Sequence, residues 1–107
     1  MSVASVGPSD YVVTASGALE GEDARRIRDA LYPLAAIDGA YVVLDLGGAS
    51  YVDPATAGIV EGAAALVSAR GGTLVVVTRD PRLRTLLELN EPRAVVEQSL
   101  ARAFENR

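Results

Sequence analysis

The chain has no histidine, cysteine, tryptophan or lysine, and its ten basic residues are all arginine. These gaps remove whole classes of chemistry. Without His or Cys there is no Ser-His or Cys-His nucleophile pair, no thiol chemistry and no Cys/His zinc site. Without Lys there is no Schiff-base amine, and no phosphate loop of the G-x-x-x-x-G-K-[ST] type. Carboxylates, arginines, hydroxyls and tyrosines remain, an acid–base inventory too thin for an enzyme to be expected. No cofactor and no metal site is expected either. Long apolar runs are also missing: none approaches the roughly 20 residues that span a bilayer, so no membrane insertion is expected. The N-terminus lacks the basic-then-apolar layout of a signal peptide, and the absence of cysteine fits a reducing compartment, which together point to a cytoplasmic protein. The net charge is −4 and the arginines are interspersed with acids. That leaves no cationic footprint for a nucleic-acid partner.

What is present is a globular composition: 107 residues, 50% hydrophobic and 22% charged, long enough for one domain over residues 1–107 with its own core. Tyr11–Ala15 reads as a strand, preceded by a short edge piece at Ser2–Val6 that Gly7-Pro8 breaks. Ser16-Gly17 and Gly21 mark the turn that follows. A helix begins near Glu22, with Ala24, Ile27, Leu31 and Leu34 spaced for one buried face, and Pro33 is expected to end or bend it. Val42–Leu46 and Leu74–Val77 are continuous apolar runs, the first interrupted only by Asp45, as expected of strands covered on both faces. Between them, Pro54 to Arg70 reads as a helix with Ile59, Ala63, Leu66 and Val67 inward, stopped by Gly71-Gly72 with Gly71 in the left-handed position. Asp80-Pro81 opens a third helix ending near Asn90, Ala94–Val96 is a strand candidate, and Ser99 caps a last helix over Leu100–Glu105. This order implies an α/β fold: a mixed, mainly parallel sheet of about four or five strands with helices packed against it.

One corner concentrates the functional signal. Asp53 follows the short apolar touch Tyr51-Val52 and starts the second helix, and helix starts fed by strands present free N–H groups and the positive end of the dipole. Asp53-Pro54 also has a plain structural account: Asp as N-cap accepting from the Thr56 N–H, with Pro at the first helical position. The same dipeptide opens the next helix at Asp80-Pro81, which favours that account for Pro54 itself. Asp45 reads as a structural, hydrogen-bonded carboxylate rather than a phosphoacceptor, because the lysine of a receiver domain is missing. The glycines at 17–21 and 47–48 do not form G-x-G-x-x-G, which argues against a dinucleotide site. Arg79, Arg82 and Arg84 surround the third helix start and read first as a solvated face, second as a receiver for an acidic partner.

The ordered set of motifs resembles the STAS domain, the fold of bacterial anti-sigma factor antagonists. Gly17-Ala18-Leu19-Glu20 stands where the family has a G-E-L-D-like turn, and Val42-Val43-Leu44-Asp45-Leu46 matches its apolar strand ending in D-L. Val52-Asp53-Pro54-Ala55-Thr56-Ala57-Gly58 lines up with the central D-S-S-G-L-G signature. Gly71–Val77 and Leu83–Leu89 match the later strand and helix. The resemblance implies a non-enzymatic module that binds an anti-sigma factor or related serine-protein kinase and so regulates sigma-factor-dependent transcription. It places partner contacts at Glu20, Asp53, Pro54, Ala55, Thr56, Ala57 and Gly58; a homodimer is a further option. The family's phosphoacceptor serine is replaced by Pro54, which has no hydroxyl. Thr56, read as exposed at the helix start, is then the candidate phosphorylation site, with Ser50 less well placed. The alternative is a non-phosphorylated STAS scaffold subunit of a stress-sensing or lipid-transport ATPase complex.

Overall fold

Two predominantly apolar runs form the middle of the sheet, because cover on both faces favours residues without polar side chains. These are β4 (Tyr41–Asp45) and β6 (Thr73–Val77), adjacent and parallel, with Leu44 opposite Val76. On one side of them lie β2 (Asp10–Thr14), parallel to β4, and then β1 (Ser2–Gly7), antiparallel at the edge; β7 (Val95–Glu97) closes the other side, parallel to β6. The order β1-β2-β4-β6-β7 is the expected mainly parallel sheet, with five strands. The computed structural model describes residues 1–90 and 94–105; the expected domain span of 1–107 includes residues outside these.

Alternation along the strands sends side chains to two cores. Val13, Val42, Leu44, Leu74 and Val76 face the larger one. It is completed by α1 (Asp23–Ala35) through Ile27 and Leu31, α2 (Pro54–Ala69) through Val60 and Val67, and α3 (Pro81–Asn90) through Leu83 and Leu87. Tyr41, Val43, Val75 and Val77 point to the opposite face, where Ala103 of the short α4 (Leu100–Glu105) covers them. The Tyr41 hydroxyl donates to the Ala103 carbonyl, and burial, with Glu97 nearby, raises its pKa above the ordinary tyrosine value. Both faces of the central strands are therefore dry, as their composition requires.

Three expectations need correction. Pro33 lies inside α1, and the helix continues to Ala35. The proline is exposed and only two residues from the end, so the lost N–H sits where the helix is about to stop. In α2 the inward face is Thr56, Ala57, Val60, Ala63, Ala64 and Val67, whereas Ile59 and Leu66 are half-buried; alanines all round the helix give little apolar contrast from which to choose a face. The turn at residues 16–21 contains a short strand, β3 (Gly17–Leu19), which pairs in parallel with β5 (Ala49–Val52) as a separate two-stranded sheet.

The end of α2 shows how specific the glycines are. Gly71 adopts φ +75°, its N–H bonds to the Ser68 carbonyl, and the Gly72 N–H reaches back to Val67 at 2.9 Å, completing a Schellman motif. A Cβ on Gly72 would come within 2.3 Å of the Ala40 backbone oxygen, whereas one on Gly58, on the outer face of α2, would meet nothing within 4 Å. Gly72→Ala is therefore expected to destabilise the protein by about 1–3 kcal/mol through forced backbone displacement. Gly58→Ala is expected to stabilise it by roughly 0.5–1 kcal/mol through reduced backbone freedom in the unfolded chain. Thermal or denaturant melts of the two variants should move in opposite directions.

Candidate functional site

The start of α2 is organised by one carboxylate. Asp53 is extended (φ −75°, ψ 165°), as an N-cap must be, and its Oδ1 accepts from the Thr56 N–H at 2.8 Å. Its second oxygen, Oδ2, accepts from the Gly21 N–H at 3.1 Å, on the turn that leads into α1. The Asp53 N–H donates to the Leu19 carbonyl at 3.0 Å, and the Thr56 hydroxyl lies 3.5 Å from that same carbonyl. Gly21 has φ +60°, a conformation that lets its N–H face Asp53 without a Cβ penalty. Glu20 is exposed on this turn, and its N–H donates to the Asp23 carboxylate at 3.2 Å. Glu20 and the helix start, 33 residues apart in the chain, are thereby brought to one corner through the Gly21–Asp53 bond.

Not all the expected docking residues are reachable. Glu20, Pro54, Ala55 and Gly58 are exposed and Asp53 is half-buried. Thr56 is 0% and Ala57 5% exposed. The expectation that Thr56 stands exposed at the helix start is thus overturned: its side chain is turned inward, toward β3. A phosphoryl group cannot reach that oxygen unless the first turn opens. Ala57 likewise cannot accept a bulky probe without disturbing the core. Ser50 and Tyr51, on β5, are the exposed hydroxyl-bearing residues beside it.

The surface beside this corner lies outside the motifs read from the sequence. A groove of about 330 Å³ runs between β5, the α2 start and α3, lined by Tyr51, Val52, Pro54, Leu83 and Leu86 with Asp80 and Arg82 at its rim. It continues along α3 past Thr85 to Leu89, which is 77% exposed. Tyr51 is 42% exposed at its other wall. Leu89 was the available signal, a large apolar residue two positions past Leu87 and off the buried Leu83 and Leu87 stripe.

Hydrogen bonds to the Asp53 carboxylate from Thr56, side chain first and then backbone, and from the Gly21 N–H hold its pKa below the ordinary carboxylate value of 3.8, against a smaller opposing effect of desolvation. A depressed folded-state pKa means the ionised group stabilises the fold above the ordinary carboxylate range, and that this contribution is lost as pH falls through the depressed value. Asp53→Asn leaves one oxygen to serve two N–H donors. It is expected to lower the melting temperature at neutral pH by several degrees and to remove part of the acid-side decline in stability. Melts of both proteins from neutral pH down through the carboxylate range measure this.

Comparison with known proteins places this geometry. The family model described as "Mlab, STAS domain" matches residues 4–91. The anti-sigma factor antagonist SpoIIAA in its unphosphorylated form superposes with a TM-score of 0.80 at 16% identity, covering 99% of this chain and 94% of that one. A putative anti-sigma factor antagonist from Thermotoga maritima gives 0.74 at 14% identity, covering 95% and 90%. The murine anion transporter Solute Carrier 26 family member A9 contains the same fold in a small part of its length: TM-score 0.69, 17% identity, 92% of this chain and 17% of that one. No curated protein matches the chain in sequence. At these identities the solved structures establish the fold, a mainly parallel sheet with helices arranged as in the anti-sigma factor antagonists, and the family model establishes the lineage: this chain belongs to the STAS domain family.

Proposed function

We propose that this STAS domain is a non-enzymatic protein-binding module that docks its partner at the Asp53 corner and the adjoining groove, without a phosphorylation switch at the helix start. The observation that carries the reading is the distribution of hydroxyls. The outward positions of the first turns of α2 are Pro54, Ala55 and Gly58, none of which has an oxygen to phosphorylate, while the one hydroxyl there, on Thr56, is fully buried. A phosphate works as a release signal by adding about −1.5 to −2 charge at a docking surface. Here the corner carries the fixed charge of Glu20 and Asp53, and the groove beside it that of Asp80 and Arg82. Binding is therefore constitutive. The partner is an anti-sigma factor or related serine-protein kinase in the cytoplasm, through which the domain regulates sigma-factor-dependent transcription.

The absent acceptor also favours a second reading, a scaffold subunit of a stress-sensing or lipid-transport ATPase complex, since a permanent subunit needs no release signal. The missing His, Cys and Lys support the absence of catalysis under either reading.

The partner is to be captured by affinity purification from native extract, where a kinase and a transport ATPase identify themselves by mass spectrometry. Ala55→Arg and Gly58→Arg place bulk and charge on the exposed side of α2, and each is expected to weaken capture by about tenfold or more with the melting temperature retained. Incubation with a captured kinase is expected to leave Thr56 unmodified. Undiminished capture by both variants would remove the docking site from this corner. Stoichiometric phosphate on Thr56 or Ser50 with loss of the partner would overturn constitutive binding.

A further inference from the structure

The two edges of the main sheet are finished differently. At one, β7 has three half-buried residues, ends in the charged Glu97 and leads almost at once into α4. At the other, β1 runs for six residues, all exposed except Gly7. No charged side chain precedes Asp10, and no proline precedes Pro8. Charges, prolines, shortness and cover are the devices that keep an edge from pairing with another chain. Of such devices β1 has only a bulge, between Ser5 and Gly7. The stretch Ser2–Ser5 stays in regular register with β2, and as the outermost strand it presents an open row of N–H and C=O groups on its other side.

Apolar surface gathers at the same edge. Among the described residues, exposed large apolar side chains fall in three places: Tyr51 and Leu89 beside the groove, Leu100 and Phe104 on α4, and Met1, Val3 and Val6 here. Val3 is 51% exposed although it stands opposite the fully buried Val13. An open edge takes its affinity from main-chain hydrogen bonds and its choice of strand from the side chains. A charged strand would find no opposite charge on β1. Two copies of this chain, each of net charge −4, repel across most of their surfaces. At β1 they meet with no like charges opposed, because the first nine residues carry no charged side chain.

We propose that β1 pairs antiparallel with the β1 of a second copy, joining two five-stranded sheets into one across a two-fold axis. Such a contact is self-complementary and closes at two copies. The bulge confines regular pairing to the residues before Gly7. Centring the axis on Val3 sets Val3 against Val3 and Ser2 against Ala4, all within the regular stretch, with opposed side chains on one face. A single short pair of edges falls at or below the low end of specific interfaces, about 1,200 Å², so the dimer is expected to be weak, with a Kd of about 1–100 μM. The edge shares no residue with the Asp53 corner or its groove, and the proposal does not depend on the partner proposed for them.

Sedimentation velocity of the full chain, over a series from about 1 to 500 μM, is expected to show monomer passing to dimer and no larger species. Val3→Lys and Val3→Glu each set like charges against one another at the axis and are expected to weaken the dimer by about tenfold or more. An equimolar mixture of the two variants should restore it, a rescue that damage to the fold does not produce. Because the chain has no cysteine, Val3→Cys carries a single thiol; mild oxidation is expected to cross-link it far faster than Arg25→Cys, exposed on α1. Circular dichroism melts check that each variant folds. A chain monomeric throughout the series, open-ended growth, a dimer that Val3→Lys leaves intact, or equal cross-linking of the two cysteine variants would overturn the proposal. So would a monomer whose Val3→Lys variant loses a captured partner, a result that gives the edge to a foreign strand.

Discussion

Two N–H groups from distant parts of the chain meet at one carboxylate, and the arrangement of this corner depends on that meeting. Asp53 takes the Thr56 N–H with one oxygen and the Gly21 N–H with the other. The first bond starts α2; the second fixes the turn that starts α1. Between them they hold β3 against β5, two strands too short to persist alone. They also set the rotation of α2, because Thr56 must face Leu19 for the corner to close, and that in turn points Pro54, Ala55 and Gly58 outward. A neutral cap with a single acceptor satisfies only half of this geometry. The negative charge is therefore a structural requirement before it is anything else, and it fixes the sign of the corner.

The features legible in the sequence were those with strong local signals. The apolar runs of β4 and β6, the Asp-Pro starts of α2 and α3, and the Gly71-Gly72 stop all depend on residues whose preferences act within a few positions. The small β3–β5 sheet was not legible, because Gly17-Ala18-Leu19 has little strand character and is extended only by pairing with residues more than thirty positions away. Thr56 was misplaced for a related reason. Its position in the first turn was right, but the direction of its side chain is decided by a carbonyl on β3. Pro33 shows the limit of a local rule: the expected break is absorbed because the helix has only one half-turn left to run.

α3 separates two surfaces of opposite chemistry at the same end of the sheet. Its Leu83, Leu86 and Leu89 serve an apolar groove that continues the Asp53 corner, while Arg84 lines a polar hollow with Arg79, Glu97, Gln98 and Arg102. The helix is anchored beneath by Leu83 and Leu87 in the main core. Asp80 caps its start, accepting from the Arg82 N–H at 2.9 Å, so the two surfaces are presented by one rigid element rather than by loops.

The strand order has a consequence for how the protein comes into being. Of the paired strands, only β1 and β2 are joined by a short turn; Val13 faces Leu44 and Leu44 faces Val76, each pair separated by about thirty residues of chain whose closure entropy must be overcome before the pairing contributes. During synthesis β4 emerges well before β6, leaving the edge of Tyr41-Val42-Val43-Leu44 open on the side that its later neighbour will occupy. The segment combines strong strand preference with no charge until Asp45, the composition that pairs with whatever edge it meets first. A nascent chain of this protein thus carries an unpaired apolar edge on β4 until β6 has been made.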